Sequence, residues 1–124
     1  MRIIQLGKER GTALTGDGTR GASRAGIARG VDAGGAQLDV VYLGAGGRLG
    51  REAVAVTQLF LVVAGDGWVS GADGARNRVR PGEGAYLTAG EVREVGTDTG
   101  LTALVLEADR LPLVAGEPPA AEVA

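Results

Sequence analysis

The residue types that this chain lacks restrict the chemistry open to it. The sequence contains neither histidine nor cysteine. Without cysteine it has no thiol nucleophile, disulfide or cysteine-held iron–sulfur cluster, and without histidine it has no imidazole base or metal ligand. Ser23 and Ser70 are therefore poor candidates for nucleophiles, because no histidine is present to act as their base.

Two further patterns have the residue types of functional sites but lack the structural context that such sites require. Residues 16–21 match the string G-x-G-x-x-G, but they neither follow a convincing strand nor open a helix, as dinucleotide binding requires. Glu52 with Glu91 or Glu94 would supply the two carboxylates of a glycoside hydrolase. No motif places these acids in one cleft, so a solvated surface is the simpler interpretation.

The elements that would position a site are predicted to be strands. Apolar residues do not keep helical spacing over any window of about 11 residues. Turn residues at 44–47, 65–67, 72–74 and 81–82 separate short apolar runs, and Asp66-Gly67 and Asp73-Gly74 are the strongest hairpin signals. This spacing indicates an all-β sandwich or barrel. The predicted strands cover residues 37–43, 58–64, 67–70, 76–80, 85–88 and 101–107.

The sequence predicts a single domain, because 124 residues are too few for two stable cores. Residues 1–36 are expected to add strands at 2–6 and 24–29, with a loop at 11–21, to a barrel formed by residues 37–109. Residues 110–124 are a proline-containing tail. We expect this tail to lie over the barrel near Leu111 and Leu113 and then to become disordered.

Charge and hydropathy argue against two classes of partner. Thirteen basic and fifteen acidic residues give a net charge of −2 without a basic stripe, so we expect no nucleic-acid partner. The longest apolar run, residues 59–64, is far shorter than the roughly 20 residues of a membrane span. The start of the chain also lacks the apolar core of a signal peptide, so we expect a cytoplasmic protein that does not contact a membrane.

Two segments in register resemble the paired motifs of the cupin superfamily. Residues 47–65 resemble the first motif, G-x5-H-x-H-x3-4-E-x6-G, with Gln58 at its glutamate position. Residues 82–97 resemble the second motif, G-x5-P-x-G-x2-H-x3-N, with Arg93 at its histidine position. The resemblance covers residues 37–109 and implies a single-domain cupin-like double-stranded β-helix, which is a jelly-roll barrel.

In that family the two motifs converge on one metal, and the resemblance assigns its place here to Glu52, Val54, Gln58 and Arg93. None of these is histidine, Val54 cannot be a ligand, and the Arg93 cation would repel a metal. We therefore expect no metal and no other cofactor. Glu52 and Arg93 should instead form an internal ion pair, with Gln58 supplying a third hydrogen bond. The alternative is that Glu52 and Arg93 both turn outward to solvent.

The few aromatic residues are predicted to have structural roles. Phe60 and Trp68 are expected in the core of a small barrel, and strand alternation puts Phe60 on the inward face of Gln58. Tyr42 and Tyr86 are expected to pack with hydrogen-bonded hydroxyl groups, although either hydroxyl could orient a ligand.

The favoured function is the binding of a small organic molecule in the barrel mouth, where Arg93 favours an anion. Polar specificity would come from Glu52 and Gln58, and apolar contact from the surrounding wall. The predicted contact residues are Glu52, Gln58, Phe60, Tyr86 and Arg93, with Val62 and Leu87 as further wall residues.

Two alternatives stay open at this point. One is a metal-independent isomerase, cyclase or epimerase, as in some cupins, in which Glu52 or Tyr86 moves a proton and Arg93 stabilises an enolate oxygen. The other is a non-catalytic cupin whose interior is filled by side chains. The resemblance also implies a homodimer, because related small cupins commonly pair through edge strands.

Overall fold

The computed structural model describes residues 1–31 and 35–114 of the chain. These ranges form a 3₁₀ helix, Lys8–Arg10, and strands that pair only in the antiparallel sense. No helix within them has the length and apolar character needed to cross a bilayer. The strands are Thr12–Ala13 (β1), Arg20–Arg29 (β2), Gln37–Ala53 (β3), Thr57–Gly65 (β4), Gly67–Ser70 (β5), Arg76–Val79 (β6), Gly84–Leu87 (β7), Val92–Gly96 (β8) and Leu101–Ala108 (β9).

The strands close almost completely into a barrel because β3 belongs to both of its walls. Residues 37–43 of β3 pair with β2 and β9, and β9 continues through β4 to β7. Residues 48–53 of β3 pair with β8, which continues through β5 to β6. The predicted all-β jelly-roll architecture is thus confirmed, with β6 and β7 as the two ends of the strand order.

A glycine-rich bend in β3 replaces the turn predicted at residues 44–47. The strand does not reverse at this point; it bends and exchanges β9 for β8 as its partner. Gly46 has a φ of 72°, which other residues adopt only with strain. The glycines therefore mark a change of direction, as predicted, but they do not end the strand.

The N-terminal region differs most from its prediction. Residues 2–6 do not form a strand, because the edge of β2 is occupied by β1, which lies inside the predicted loop. The hydroxyl group of Tyr42 on β3 donates a hydrogen bond to the Leu6 carbonyl and ties this segment to the barrel. The first strand of the barrel wall, β2, also begins earlier than predicted, at Arg20.

The connections between the later strands differ in one place from the sequence signals. Asp73-Gly74 lies in the β5–β6 hairpin, as predicted. Asp66-Gly67 does not form a hairpin, since β4 and β5 belong to opposite walls. Strand β8 was not predicted, because only two of its five residues are large and apolar.

The core fills the part of the barrel that lies away from the end of β3. Phe60, Val62 and Val95 are completely buried there, together with other alternate residues of β3, β4, β8 and β9. The prediction that Phe60 points inward is correct. Burial of these side chains provides the main stabilisation of the barrel.

Trp68 does not belong to the core, contrary to the prediction. Val69 points into the core, so strand alternation turns Trp68 to the outside of β5. The indole ring covers the backbone of Gly96. The Cζ atoms of Arg48 and Arg76 lie 5.1 and 3.9 Å from the centre of the ring, which is the geometry of cation–π contacts.

The segment after β9 contacts the barrel at Leu111. The hydroxyl group of Tyr86 on β7 donates a hydrogen bond of 2.7 Å to the Leu111 carbonyl. Leu113 and Val114 are exposed. The predicted disorder of the tail concerns residues 115–124, which lie outside the described ranges.

Candidate functional site

A cavity of about 340 Å³ opens at the end of the barrel where β3 ends and β4 begins. Five strands contribute to its wall, and each directs alternate side chains toward the interior. Phe60 and Val105 separate the cavity from the apolar core. The charged side chains that line it are Arg24 of β2, Glu52 of β3, Arg93 of β8 and Glu107 of β9.

Four of the five predicted contact residues line this one cavity. Glu52 and Arg93 are opposite each other across β3 and β8, and Gln58 and Phe60 reach the cavity from β4. The two wall residues Val62 and Leu87 do not line it. Val62 lies deeper, in the core, and Leu87 lies on the side of the barrel toward β5 and β6.

Tyr86, the fifth predicted contact residue, lies apart from the cavity. Gln58 points inward and is paired with Leu87, so the neighbouring pair of Leu59 and Tyr86 points outward. The Tyr86 hydroxyl group is engaged by the Leu111 carbonyl. The prediction that Tyr86 shares a site with Arg93 is therefore corrected by strand alternation.

Arg93 is the centre of the cavity wall. Its Nε donates to Gln58 Oε1 and its Nη1 donates to the Gly50 carbonyl, both at 3.4 Å, which is long for hydrogen bonds. The side chain is half-buried. Burial lowers the pKa of Arg93 from its ordinary value, and the carboxylates of Glu52 and Glu107 offset this effect only in part. The guanidinium is thus a partly desolvated cation with two long hydrogen bonds.

The predicted ion pair between Glu52 and Arg93 is not formed. Among the described residues, the ion pairs within 4.0 Å join Arg24 to Asp39, Arg48 to Glu94 and Arg78 to Asp66. An irregularity in the β3–β8 register lies between Leu49 and Glu52, and the Glu52 side chain is exposed at the rim. The predicted hydrogen bond between Gln58 and Arg93 is present, with Arg93 Nε as the donor and Gln58 Oε1 as the acceptor.

We expect only weak energetic coupling between Glu52 and Arg93. The two charges have no direct contact and Glu52 is exposed to solvent, so their interaction should contribute about 1 kcal/mol or less. A double-mutant cycle with Glu52→Gln and Arg93→Gln, read from urea unfolding, should therefore give a coupling energy below about 1 kcal/mol. A coupling above about 2 kcal/mol would show that the direct ion pair forms in solution.

The sequence analysis did not identify three charged residues at or near the cavity: Asp39, Arg24 and Glu107. Asp39 is 1% exposed and accepts hydrogen bonds of 3.0 and 3.3 Å from the Gln37 amide. Its carboxylate also lies 3.9 Å from Arg24 Nη1 and holds that side chain at the cavity wall. Glu107 reaches the cavity from β9. Alternation within the predicted strands 37–43 and 101–107 would have placed Asp39 and Glu107 on the inward face.

The residues at this place do not fit a divalent metal. Gln58 Oε1 already accepts from the Arg93 cation, and Val54 offers no ligand atom, which leaves Glu52 as the single anionic donor of the four. Transition metals require several imidazole, thiolate or carboxylate ligands together. In residues 1–31 and 35–114, no group of three or more acidic side chains is arranged to hold a metal ion.

Comparison with known proteins gives matches at the level of structure only. No protein-family model matches the sequence, and no curated protein matches it. Many solved structures do match. A cupin-like protein from Thermotoga maritima superposes with a TM-score of 0.71 at 18% identity, over 82% of this chain and 79% of that one.

Two other matches cover more of this chain. A Cupin 2 conserved barrel domain protein from Salinispora arenicola has a TM-score of 0.70 at 15% identity and covers 88% of this chain and 89% of its own. The polyketide cyclase RemF from Streptomyces resistomycificus has a TM-score of 0.69 at 14% identity, covering 90% and 83%. Identities this low establish the fold alone. The chain therefore has the cupin fold, in agreement with the resemblance of its two motifs.

Proposed function

We propose that this protein binds a small organic anion in the barrel mouth, with Arg93 as its anchor. The observation that carries the proposal is the state of the Arg93 guanidinium, which is partly desolvated and has no carboxylate within 4.0 Å among the described residues. An arriving carboxylate could replace two long hydrogen bonds by a bidentate, charge-assisted pair. Because the positive charge of Arg93 has no carboxylate partner among the described residues, the cavity favours an anionic ligand.

The other lining residues indicate what else the ligand carries. Glu52 and Glu107 accept hydrogen bonds but cannot donate them when ionised, so they favour hydroxyl or ammonium groups beside the anion. Phe60 and Val105 offer apolar contact at the inner end. A volume of about 340 Å³ is near the lower limit for ligand pockets, so the ligand should be small.

The names of structural neighbours are compatible with this class of ligand. They include the polyketide cyclase above and a DMSP lyase from Ruegeria pomeroyi, both of which act on small organic molecules by name. A solely structural role is less well supported, because the barrel mouth is not filled by side chains.

The proposal is tested by a matched pair of ligands. Glucuronate and glucose share a hydroxylated ring but differ in a carboxylate, and acetate, lactate and citrate extend the range of anions. Isothermal titration should detect saturable binding of at least one of these acids and none of glucose. If no acid in the set binds, or if glucose binds as well as glucuronate, an anion site at Arg93 is ruled out.

A second candidate function is metal-independent proton transfer. It is favoured by the presence of Glu52 and Glu107 in the cavity with Arg93, since a carboxylate could remove a proton beside a carbonyl group while the guanidinium stabilises the enolate oxygen. Tyr86, the alternative proton carrier, lies outside this cavity.

Proton transfer would be visible as exchange of the C–H beside the carboxylate of lactate in deuterated water. If the site is catalytic, proton NMR should show loss of this signal with the wild type, and Glu52→Gln should abolish the loss while changing lactate affinity less than about threefold. Glu94→Gln, on the outside of the barrel, is the matched control. Binding of lactate without exchange by the wild type would leave the binding function and exclude this reaction.

A further inference from the structure

The loop between β1 and β2, residues 14–19, forms one side of the binding cavity. Its residues that line the cavity, together with Arg93, are Leu14, Thr15 and Thr19. The loop includes the first part of the G-x-G-x-x-G string at residues 16–21. This string leads into strand β2, and not into the helix that a dinucleotide-binding motif requires. The glycine-rich stretch is therefore part of the cavity at Arg93.

A β-bulge in β3 is the place where this loop meets the barrel. The β3–β8 register places Gly50 and Arg51 together opposite Glu94 alone. A bulge of this kind interrupts the ladder between two strands, and bulges are frequent next to functional sites. The interruption leaves the backbone of Gly50 available to partners outside the ladder.

Gly50 connects the β1–β2 loop to the proposed anion anchor. Its N–H donates a hydrogen bond of 2.8 Å to Thr19 Oγ1, and its carbonyl accepts the 3.4 Å hydrogen bond from Arg93 Nη1. Glycine is required at this position, because a Cβ atom would overlap the carbonyl oxygen of Asp17 in the loop. The loop therefore packs directly on the residue that also contacts Arg93.

The β1–β2 loop has little packing to hold it beside the cavity. Residues 15–18 are exposed, and segments with few buried contacts open easily. The Leu14 N–H donates a hydrogen bond of 2.9 Å to the Ala22 carbonyl and holds the beginning of the loop. The Thr19 hydroxyl group holds the part of the loop that lies against Gly50. Loss of this hydroxyl group should therefore free the part of the loop that is connected to Arg93.

We propose that Thr19 is a positioning residue for anion binding, because its hydroxyl group holds the β1–β2 loop in place beside Arg93. This inference rests on the proposed function. A loop held in this position keeps water from one side of the guanidinium, and hydrogen bonds to a charged group are stronger where water is excluded. Thr19 thus strengthens the binding of a carboxylate through Gly50 and the loop, without a need to contact the ligand itself.

Amide hydrogen exchange of the ligand-free protein tests whether Thr19 holds the loop. Thr19→Val keeps the shape of the side chain and removes the oxygen that accepts the Gly50 N–H. The Gly50 amide should exchange at least about threefold faster in this variant, because one hydrogen bond is lost. Thr19→Ser keeps the hydroxyl group and should exchange within about twofold of the wild type. Equal exchange at Gly50 in the wild type and in Thr19→Val would overturn the proposal.

Binding of the best carboxylate ligand tests the consequence for the site. Thr19→Val should weaken this binding about three- to tenfold, which is the range for the loss of one hydrogen bond, and NMR line shapes should show faster dissociation. Thr19→Ser should restore the wild-type affinity. Thr12→Val is the matched control, since Thr12 is an exposed residue of β1 that does not line the cavity, and it should bind like the wild type.

The two measurements separate this inference from the proposed function. If acids bind the wild type and Thr19→Val equally well, the proposed function stands and the positioning role of Thr19 is wrong. If no acid binds the wild type although Thr19→Val accelerates exchange at Gly50, the proposed function is wrong and Thr19 has only a structural role. Thermal melts identify a variant that fails to fold, and Thr19→Ala, which leaves room for water at the Gly50 N–H, then takes the place of Thr19→Val.

Discussion

Replacing Arg93 by glutamine should weaken binding of the best carboxylate ligand by about 30- to 100-fold. Hydrogen bonds to charged groups contribute about 1.5–3 kcal/mol, and a bidentate pair to this guanidinium would be lost. The fold should not suffer, because the variant removes a desolvated cation whose own contacts are long. Isothermal titration gives the affinity, and urea unfolding gives the stability of the same variant.

Two arginines serve as controls for this prediction. Arg51 donates to the carbonyls of Gly71 and Ala72 outside the cavity, so Arg51→Gln should leave the affinity unchanged. Arg24 lines the cavity but is already held near Asp39, so Arg24→Gln should have an intermediate effect. Equal losses in the Arg93 and Arg51 variants would mean that net charge, and not the site, controls binding.

Gly65→Ala should destabilise the fold by about 2–5 kcal/mol. Gly65 has a φ of 72° at the end of β4, which costs an L-residue about 1–2 kcal/mol. A Cβ atom at this position would also collide with the carbonyl oxygen of Gly100, which is backbone of the neighbouring strand connection. Relief of that overlap requires the chain to move, at a further cost of about 1–3 kcal/mol.

Gly74→Ala separates these two contributions. Gly74 has nearly the same φ, 75°, but a Cβ atom there would meet nothing within 4 Å. This variant should lose only the conformational share, about 1–2 kcal/mol in urea unfolding. If both variants lose the same amount, the close approach of Gly65 to Gly100 contributes nothing to the fold.

Strand alternation and turn residues account for how much of the fold could be predicted. β4 and β9 are mostly apolar runs next to turn residues, and both were placed almost correctly. β8 was missed because Arg93 and Glu94 interrupt its apolar residues, although Val95 is completely buried. The continuity of β3 was missed because glycine favours turns locally, whereas β3 pairs with neighbouring strands on both sides of the bend, at residues 37–43 and from residue 48 onward.

The sequence was sufficient to predict which residues meet at the site, but not all of the contacts between their side chains. The register of the two motifs placed Gln58 and Arg93 together, and the structure has their contact. The predicted ion pair between Glu52 and Arg93 was wrong. The β3–β8 register is irregular just before Glu52, whose side chain lies at the rim, and no sequence signal marks this irregularity. Asp39 and Glu107 were missed for a different reason, since alternation in the predicted strands was sufficient to find them.

The central claim is that the Arg93 guanidinium receives the anion, and the NMR signal of its Nε–H reports this directly. During titration with the best-binding carboxylate, the Arg93 Nε–H resonance should shift and saturate with the calorimetric affinity, while the Arg51 resonance stays in place. Saturation of binding with no change at Arg93 would contradict the account.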